Sequence, residues 1–122
     1  DMAILISSCA TGRVAGGSVE PVGIRMMMAL NLAIGAGEIR LSSPDPDSQP
    51  ILDFRYLENA IDRQRLREAV RLCIKLLEND VYNPVITGSI NLTKEDLASD
   101  EALDAWLLRN VTTSQHISGI CL

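Results

Sequence analysis

The sequence predicts an α+β fold with segregated elements, and three observations carry that reading. The first half of the chain holds apolar or alternating runs separated by glycine- and proline-rich stretches. The second half holds two helical patterns with an irregular stretch between them. Strand and helix do not alternate along the chain, as they would in a parallel α/β sheet. At 122 residues the chain suits one domain and can bury a core without disulfide or metal staples.

Residues 2–6, Met-Ala-Ile-Leu-Ile, form a short apolar run expected as a strand buried on both faces. Residues 7–21, rich in Gly, Ser, Ala and Thr, are expected as a loop. Gly16-Gly17 lacks the G-x-G-x-x-G spacing and the strand–turn–helix setting of a phosphate cradle, so no nucleotide site is assigned there. A long strand is expected over 22–32. Gly35-Ala36-Gly37 then turns the chain, and 38–42 alternates polar and apolar like a half-buried strand. A short glycine-bearing connection favours antiparallel pairing of 22–32 with 38–42. The three prolines of 43–50 exclude a helix, and 51–57 reads as a short extended segment.

Asp62 is the expected N-cap of the clearest helix, roughly 63–78. Leu66, Ala69, Val70, Cys73, Leu76 and Leu77 recur at helical spacing and form one stripe. The arginines at 63, 65, 67 and 71, interleaved with Glu68, read as a solvated face. Cys73, on the stripe, reads as a small packed hydrophobe and not a nucleophile. Residues 83–92 are irregular. A second helix is expected over 100–109, with Ser99 as cap, acidic residues in its first turn, and Leu103, Trp106 and Leu107 on its buried face. Trp106 is read as core, with a pocket-lining role as the alternative.

Composition excludes several classes. The net charge of −5 disfavours a nucleic-acid partner, which needs a basic surface. Three cysteines (Cys9, Cys73, Cys121) and one histidine show no metal-ligand spacing, so no metal site is expected. Free thiols suit a reducing compartment, and the expected localisation is cytoplasmic. Arg25 and Asn31 interrupt the longest apolar run, so no membrane span is expected. The chain opens on Asp1 inside a strand-like run, which suggests a piece of a longer polypeptide.

The end of the chain, Thr112-Thr113-Ser114-Gln115-His116-Ile117-Ser118-Gly119-Ile120-Cys121-Leu122, contains the only histidine. Histidine is the side chain suited to exchanging a proton near neutral pH. Gly119 lets the backbone turn sharply or approach a bound ring.

Several blocks together resemble one family. Gly37-Glu-Ile-Arg-Leu-Ser-Ser-Pro-Asp-Pro46, then Pro50-Ile-Leu-Asp-Phe-Arg-Tyr-Leu57, then Asp62 opening an Arg- and Leu-rich helix, resemble the C-terminal domain of the glucose–methanol–choline (GMC) flavoprotein oxidoreductases. Asp100-Glu-Ala-Leu-Asp-Ala-Trp-Leu-Leu-Arg-Asn-Val-Thr-Thr-Ser-Gln-His116, followed by Ser118-Gly119, is similar to that family's approach to its active-site histidine. The resemblance implies a large antiparallel sheet with helices on one face, seated over a separate FAD-binding domain of the same polypeptide. Residues 1–122 would then be one partial, substrate-binding domain without the FAD-binding domain, and the chain alone would bind no FAD and be inactive. It further implies oxidation of an alcohol to a carbonyl with hydride transfer to flavin N5. His116 would be the catalytic residue, accepting the hydroxyl proton or stabilising the developing alkoxide, with Gly119 near the flavin.

The end of the chain departs from the family. Ile120 stands where the family usually has threonine, and Leu122 falls where the motif continues toward a second active-site residue. Two alternatives follow: a non-enzymatic binding module that kept the fold, or a flavin-containing enzyme resembling the hydroxynitrile lyases.

Overall fold

A computed structural model describes residues 2–13 and 19–113, with 8–13 and 19–22 described in backbone only. Two long strands, β1 (Met2–Arg13) and β2 (Val19–Leu30), pair antiparallel. Two short ones, β3 (Glu38–Arg40) and β4 (Ile51–Asp53), form a separate antiparallel pair. Helix α1 (Ala60–Leu77), a 3-10 turn at Asp80–Tyr82 and helix α2 (Asp100–Asn110) complete the order. The α+β class stands, with two two-stranded sheets among the described residues in place of one large sheet.

The expected pairing of 22–32 with 38–42 is wrong. β2 pairs with β1, from Met2↔Leu30 to Arg13↔Val19. The reason lies in the connector 31–37, which is not a hairpin turn. The Asp62 carboxylate accepts the backbone N–H of Ile34 at 3.0 Å and of Gly35 at 2.7 Å, while Arg65 Nη1 donates to Leu32 O at 2.9 Å. This anchorage to α1 carries the chain away from β2. A Cβ on Gly35 would lie 3.2 Å from Asp62 Oδ2, tight enough that glycine suits the position.

Asp62 is therefore not the N-cap. Asn59 fills that role, its side chain accepting Ile61 N at 2.9 Å. Asp62 sits inside the first turn, only 3% exposed, and its acceptor capacity serves the connector. A buried carboxylate needs such partners, since an unpaired one is costly to desolvate.

The expected loop over 7–21 is strand wherever it is described, at 7–13 and 19–21. Pairing along a twelve-residue partner strand overrides the small-residue composition. The ladder shifts register on either side of Ala10↔Gly23, and Gly23 takes φ +146° there, as a strand irregularity bearing glycine does. Residues 2–6 are also not buried on both faces, for Leu5 and Ile6 are exposed. Two strands cannot bury both faces of a ribbon with one helical layer.

Between β3 and β4 the proline-rich turn is closed by Ser42 Oγ donating to Gln49 O at 2.6 Å and Ser48 N donating to Asp45 O at 3.1 Å. The extended segment expected to Leu57 ends at Asp53. Arg55 and Leu57 then adopt φ of 46° and 64°, a strained region for residues with a Cβ. Arg63 Nη1 fixes this bend by donating to the carbonyls of Leu57 and Glu58.

The core lies where α1 meets α2: Leu57, Leu66, Val70, Leu103, Trp106 and Leu107, with Met2, Met28 and Leu30 of the ribbon packed against it. The expected stripe is right through Cys73, but Leu76 is exposed and Leu77 half-buried, because the helix runs past its neighbour. Ser99 caps α2 as expected, accepting Ala102 N at 3.1 Å. The arginine face of α1 is not simply solvated. Arg67 bridges Asp104 at 2.7 Å, Arg71 bridges Asp100 at 2.5 Å, and Arg63 reaches Asp104 at 3.4 Å, so these side chains cross-link the helices.

Candidate functional site

The final turn of α2 directs the chain toward its histidine-bearing end. Val111 N donates to Leu107 O at 2.7 Å, and Val111 leaves the helix in an extended conformation. Asn110 Nδ2 donates to Trp106 O at 2.8 Å and closes the same turn. The description stops at Thr113, so His116, Gly119 and Cys121 lie outside the described residues.

A groove of about 540 Å³ opens between β2 and this exit, lined by Met26, Met27, Met28 and Leu30 on one side and Asn110 to Thr113 on the other. Trp106 borders it, yet the residue is only 8% exposed and belongs mainly to the core. Its Nε1–H donates to Asn91 O at 2.8 Å, which satisfies the indole and ties the irregular 83–92 stretch to α2. The core reading of Trp106 thus holds, with one edge of the residue at the groove. A smaller cavity of about 120 Å³ lies under the Phe54–Leu57 bend, with Gly35 and Asp62 in its wall.

Cys73 is buried, and burial pushes its thiol pKa up, which disfavours the thiolate that nucleophilic chemistry requires. Among the described residues no group of three or more His, Cys, Asp or Glu could hold a metal ion. Among the same residues no helix is long and apolar enough to cross a membrane.

Among the described residues neither helix follows a strand through a glycine-rich turn, the setting in which a helix N-terminus cradles a dinucleotide phosphate.

Sequence reasoning missed the groove and the role of Asp62. The run Met26-Met27-Met28 was a signal for the first, since adaptable thioether side chains often line binding surfaces. Asn59, three residues before Asp62, was a signal for the second, being an equally good cap at the true start.

A family model described as GMC oxidoreductase matches residues 33–122. The oxygen-dependent choline dehydrogenase of Photobacterium profundum is 30% identical over 99 residues, covering 81% of this chain and 17% of the relative. That of Rhizobium etli (strain CIAT 652) is 29% identical over 99 residues, covering 81% and 18%. The pyranose dehydrogenase of Agaricus campestris is 30% identical over 105 residues, covering 84% and 17%. The chain thus spans under a fifth of the length of these relatives. No solved structure matches it.

Proposed function

The chain belongs to the GMC oxidoreductase family, and on that premise we propose that it is the substrate-binding part of an FAD-dependent alcohol oxidoreductase. The reaction is oxidation of a primary or secondary alcohol to a carbonyl compound. The observation that carries this reading is the extent of the family match, which runs through His116 to the end of the chain. Its partner is an FAD-binding domain of the same polypeptide, and the dinucleotide sits outside the described residues, with Gly119 close to the flavin.

His116 is the proton acceptor in this reading. An alcohol donates hydride poorly until its oxygen begins to lose its proton, and a positioned base contributes about 10²–10⁴-fold.

Rapid-mixing measurements of flavin reduction in the complete protein test the assignment. His116→Ala is expected to slow the reductive step by about 10²-fold or more while flavin stays bound. Reduction within a few-fold of the wild-type rate would remove His116 from the mechanism. Titration of FAD into the 122-residue chain is expected to show no stoichiometric binding by flavin fluorescence; tight binding would put the cofactor site within this chain.

A further inference from the structure

We propose that Asn91 is the acceptor of an N-linked glycan, which places the complete protein in a secretory compartment. The chain carries two tripeptides of the form Asn-x-Thr with no proline between, Asn91-Leu92-Thr93 and Asn110-Val111-Thr112. An oligosaccharyltransferase reads that pattern, and the sugar it adds must stand at the surface. The fold treats the two tripeptides differently. Residues 91–93 lie in the irregular stretch before α2. Leu92 turns inward and packs against the core, while Asn91 and Thr93 on either side of it are exposed. Asn91 serves the fold through its backbone, whose carbonyl accepts Trp106 Nε1 at 2.8 Å, so a substituent on the side chain leaves that tie in place. Thr93 Oγ1 donates to Asp96 Oδ2 at 2.9 Å and accepts from Asp96 N at 3.3 Å, which fixes the turn that follows the acceptor. Ile90, directly before it, is 73% exposed, and a bulky, solubilising glycan covers that apolar side chain.

Asn110 is the last residue of α2, and its Nδ2 donates to Trp106 O at 2.8 Å to close the helix. Its amide is turned back onto the helix and is not presented outward. Transfer to Asn91 is a substitution at the anomeric carbon of an oligosaccharide carried on a polyprenyl diphosphate. The amide nitrogen forms the new C–N bond, the C–O bond to the diphosphate breaks, and the amide gives up one proton; nothing is oxidised or reduced. The cytoplasmic location expected from composition gives way to a secretory one. Cys73 does not oppose it, because its buried thiol is out of reach of the exchange reactions of an oxidising compartment. Glycan transfer is independent of the oxidoreductase reaction.

The complete protein, isolated from its own cells, is treated with peptide N-glycosidase in heavy-oxygen water and digested with trypsin. Cleavage after Lys75 and Lys94 releases Asn91 within the peptide 76–94. The glycosidase converts a glycan-bearing asparagine to labelled aspartate, a gain of about 3 Da. That gain is expected at Asn91 in most molecules and at Asn110 in few. An unlabelled Asn91, or Asn110 labelled to the same extent, overturns the proposal. In a secreting eukaryotic host, Asn91→Gln is expected to remove one glycosidase-sensitive step of electrophoretic mobility from the complete protein, and Asn110→Gln to leave every step in place. Thr93→Ala should remove the same step as Asn91→Gln, and Thr93→Ser, which keeps the hydroxyl and its contacts to Asp96, should restore it. Asn91→Gln with every step intact, or Asn110→Gln with one step lost, overturns the proposal as well.

Discussion

The helix pair and the β1–β2 ribbon are built from similarly apolar sequence, yet they differ in what they bury. On the helix side Leu103 is 0% exposed, and Val70, Cys73 and Leu107 are nearly as enclosed. On the ribbon Leu5 is 52% exposed, and Ile24 and Met27 are exposed too. Both regions carry regular backbone hydrogen bonding, so the contrast separates backbone order from burial. A helix needs one neighbour to cover its single stripe, whereas a strand presents side chains to two faces, and the helices cover one.

The sharpest way to test that contrast is to truncate one leucine in each region. Leu103→Ala removes a fully enclosed side chain and is expected to cost about 2–5 kcal/mol from lost transfer free energy and the residual cavity. Leu5→Ala is expected to stay within about 0.5 kcal/mol. Denaturant melts of both variants decide it. Equal losses would mean that the ribbon is covered in solution by something that encloses Leu5.

The helical region was the more legible in sequence. The 3.6-residue recurrence of Leu66, Val70 and Cys73, and the Ser99 cap before Leu103, Trp106 and Leu107, are local signals; α2 starts at its expected cap, while α1 starts three residues earlier than expected, at Ala60 after Asn59. The ribbon and its partner were not legible. Whether 22–30 pairs forward with 38–40 or back with 2–13 depends on where 31–37 is held, and that is decided by Asp62, 28 residues beyond Ile34. Local turn chemistry at Gly35 and Gly37 pointed to a hairpin because no short-range signal reveals a long-range acceptor. The proline-bearing turn at 43–50 was legible because proline's fixed φ acts locally. For the site, the sequence pattern led to His116 and to the family now shown by the match over 33–122. The groove was not visible, since it is assembled from a strand and a helix exit that lie far apart in the chain.

Asp62 joins the two regions and supplies the next test. Asp62→Ala leaves the N–H groups of Ile34 and Gly35 without their acceptor and removes the carboxylate facing Arg65 at 3.8 Å. A fully buried donor left unsatisfied costs about 1–3 kcal/mol, but these two amides lie on a part-exposed connector, with Ile34 56% exposed, so water replaces most of what each loses. The loss should therefore fall below that of Leu103→Ala. Hydrogen exchange should locate it, with faster exchange at Ile34 and Gly35 than in the helix cores. Unchanged protection at those amides would show that the connector is held by other contacts.

The smallest expected effect concerns the ion pairs that link α1 to α2. Asp100 accepts from Arg71 and also faces Arg67 at 3.3 Å. The hydrogen bond from Arg71 and the charges of Arg67 and Arg71 lower its pKa below the ordinary value of 3.8. A carboxylate with a folded-state pKa below its unfolded one stabilises the fold fully above the unfolded value, and loses that contribution as pH falls through the folded one. The linkage is thus present at neutral pH and disappears on acidification below about 3.8. Because the pair is solvent-exposed, salt screens it and the effect is small. Thermal melts of the wild type and Asp100→Asn should differ slightly at neutral pH, with the wild type higher, and converge in acid or at high salt. The same acidification should leave the Leu103→Ala deficit in place, since burial carries no proton. A wild-type advantage over Asp100→Asn that persists undiminished in acid would show that residue 100 acts through helix geometry and not through its charge.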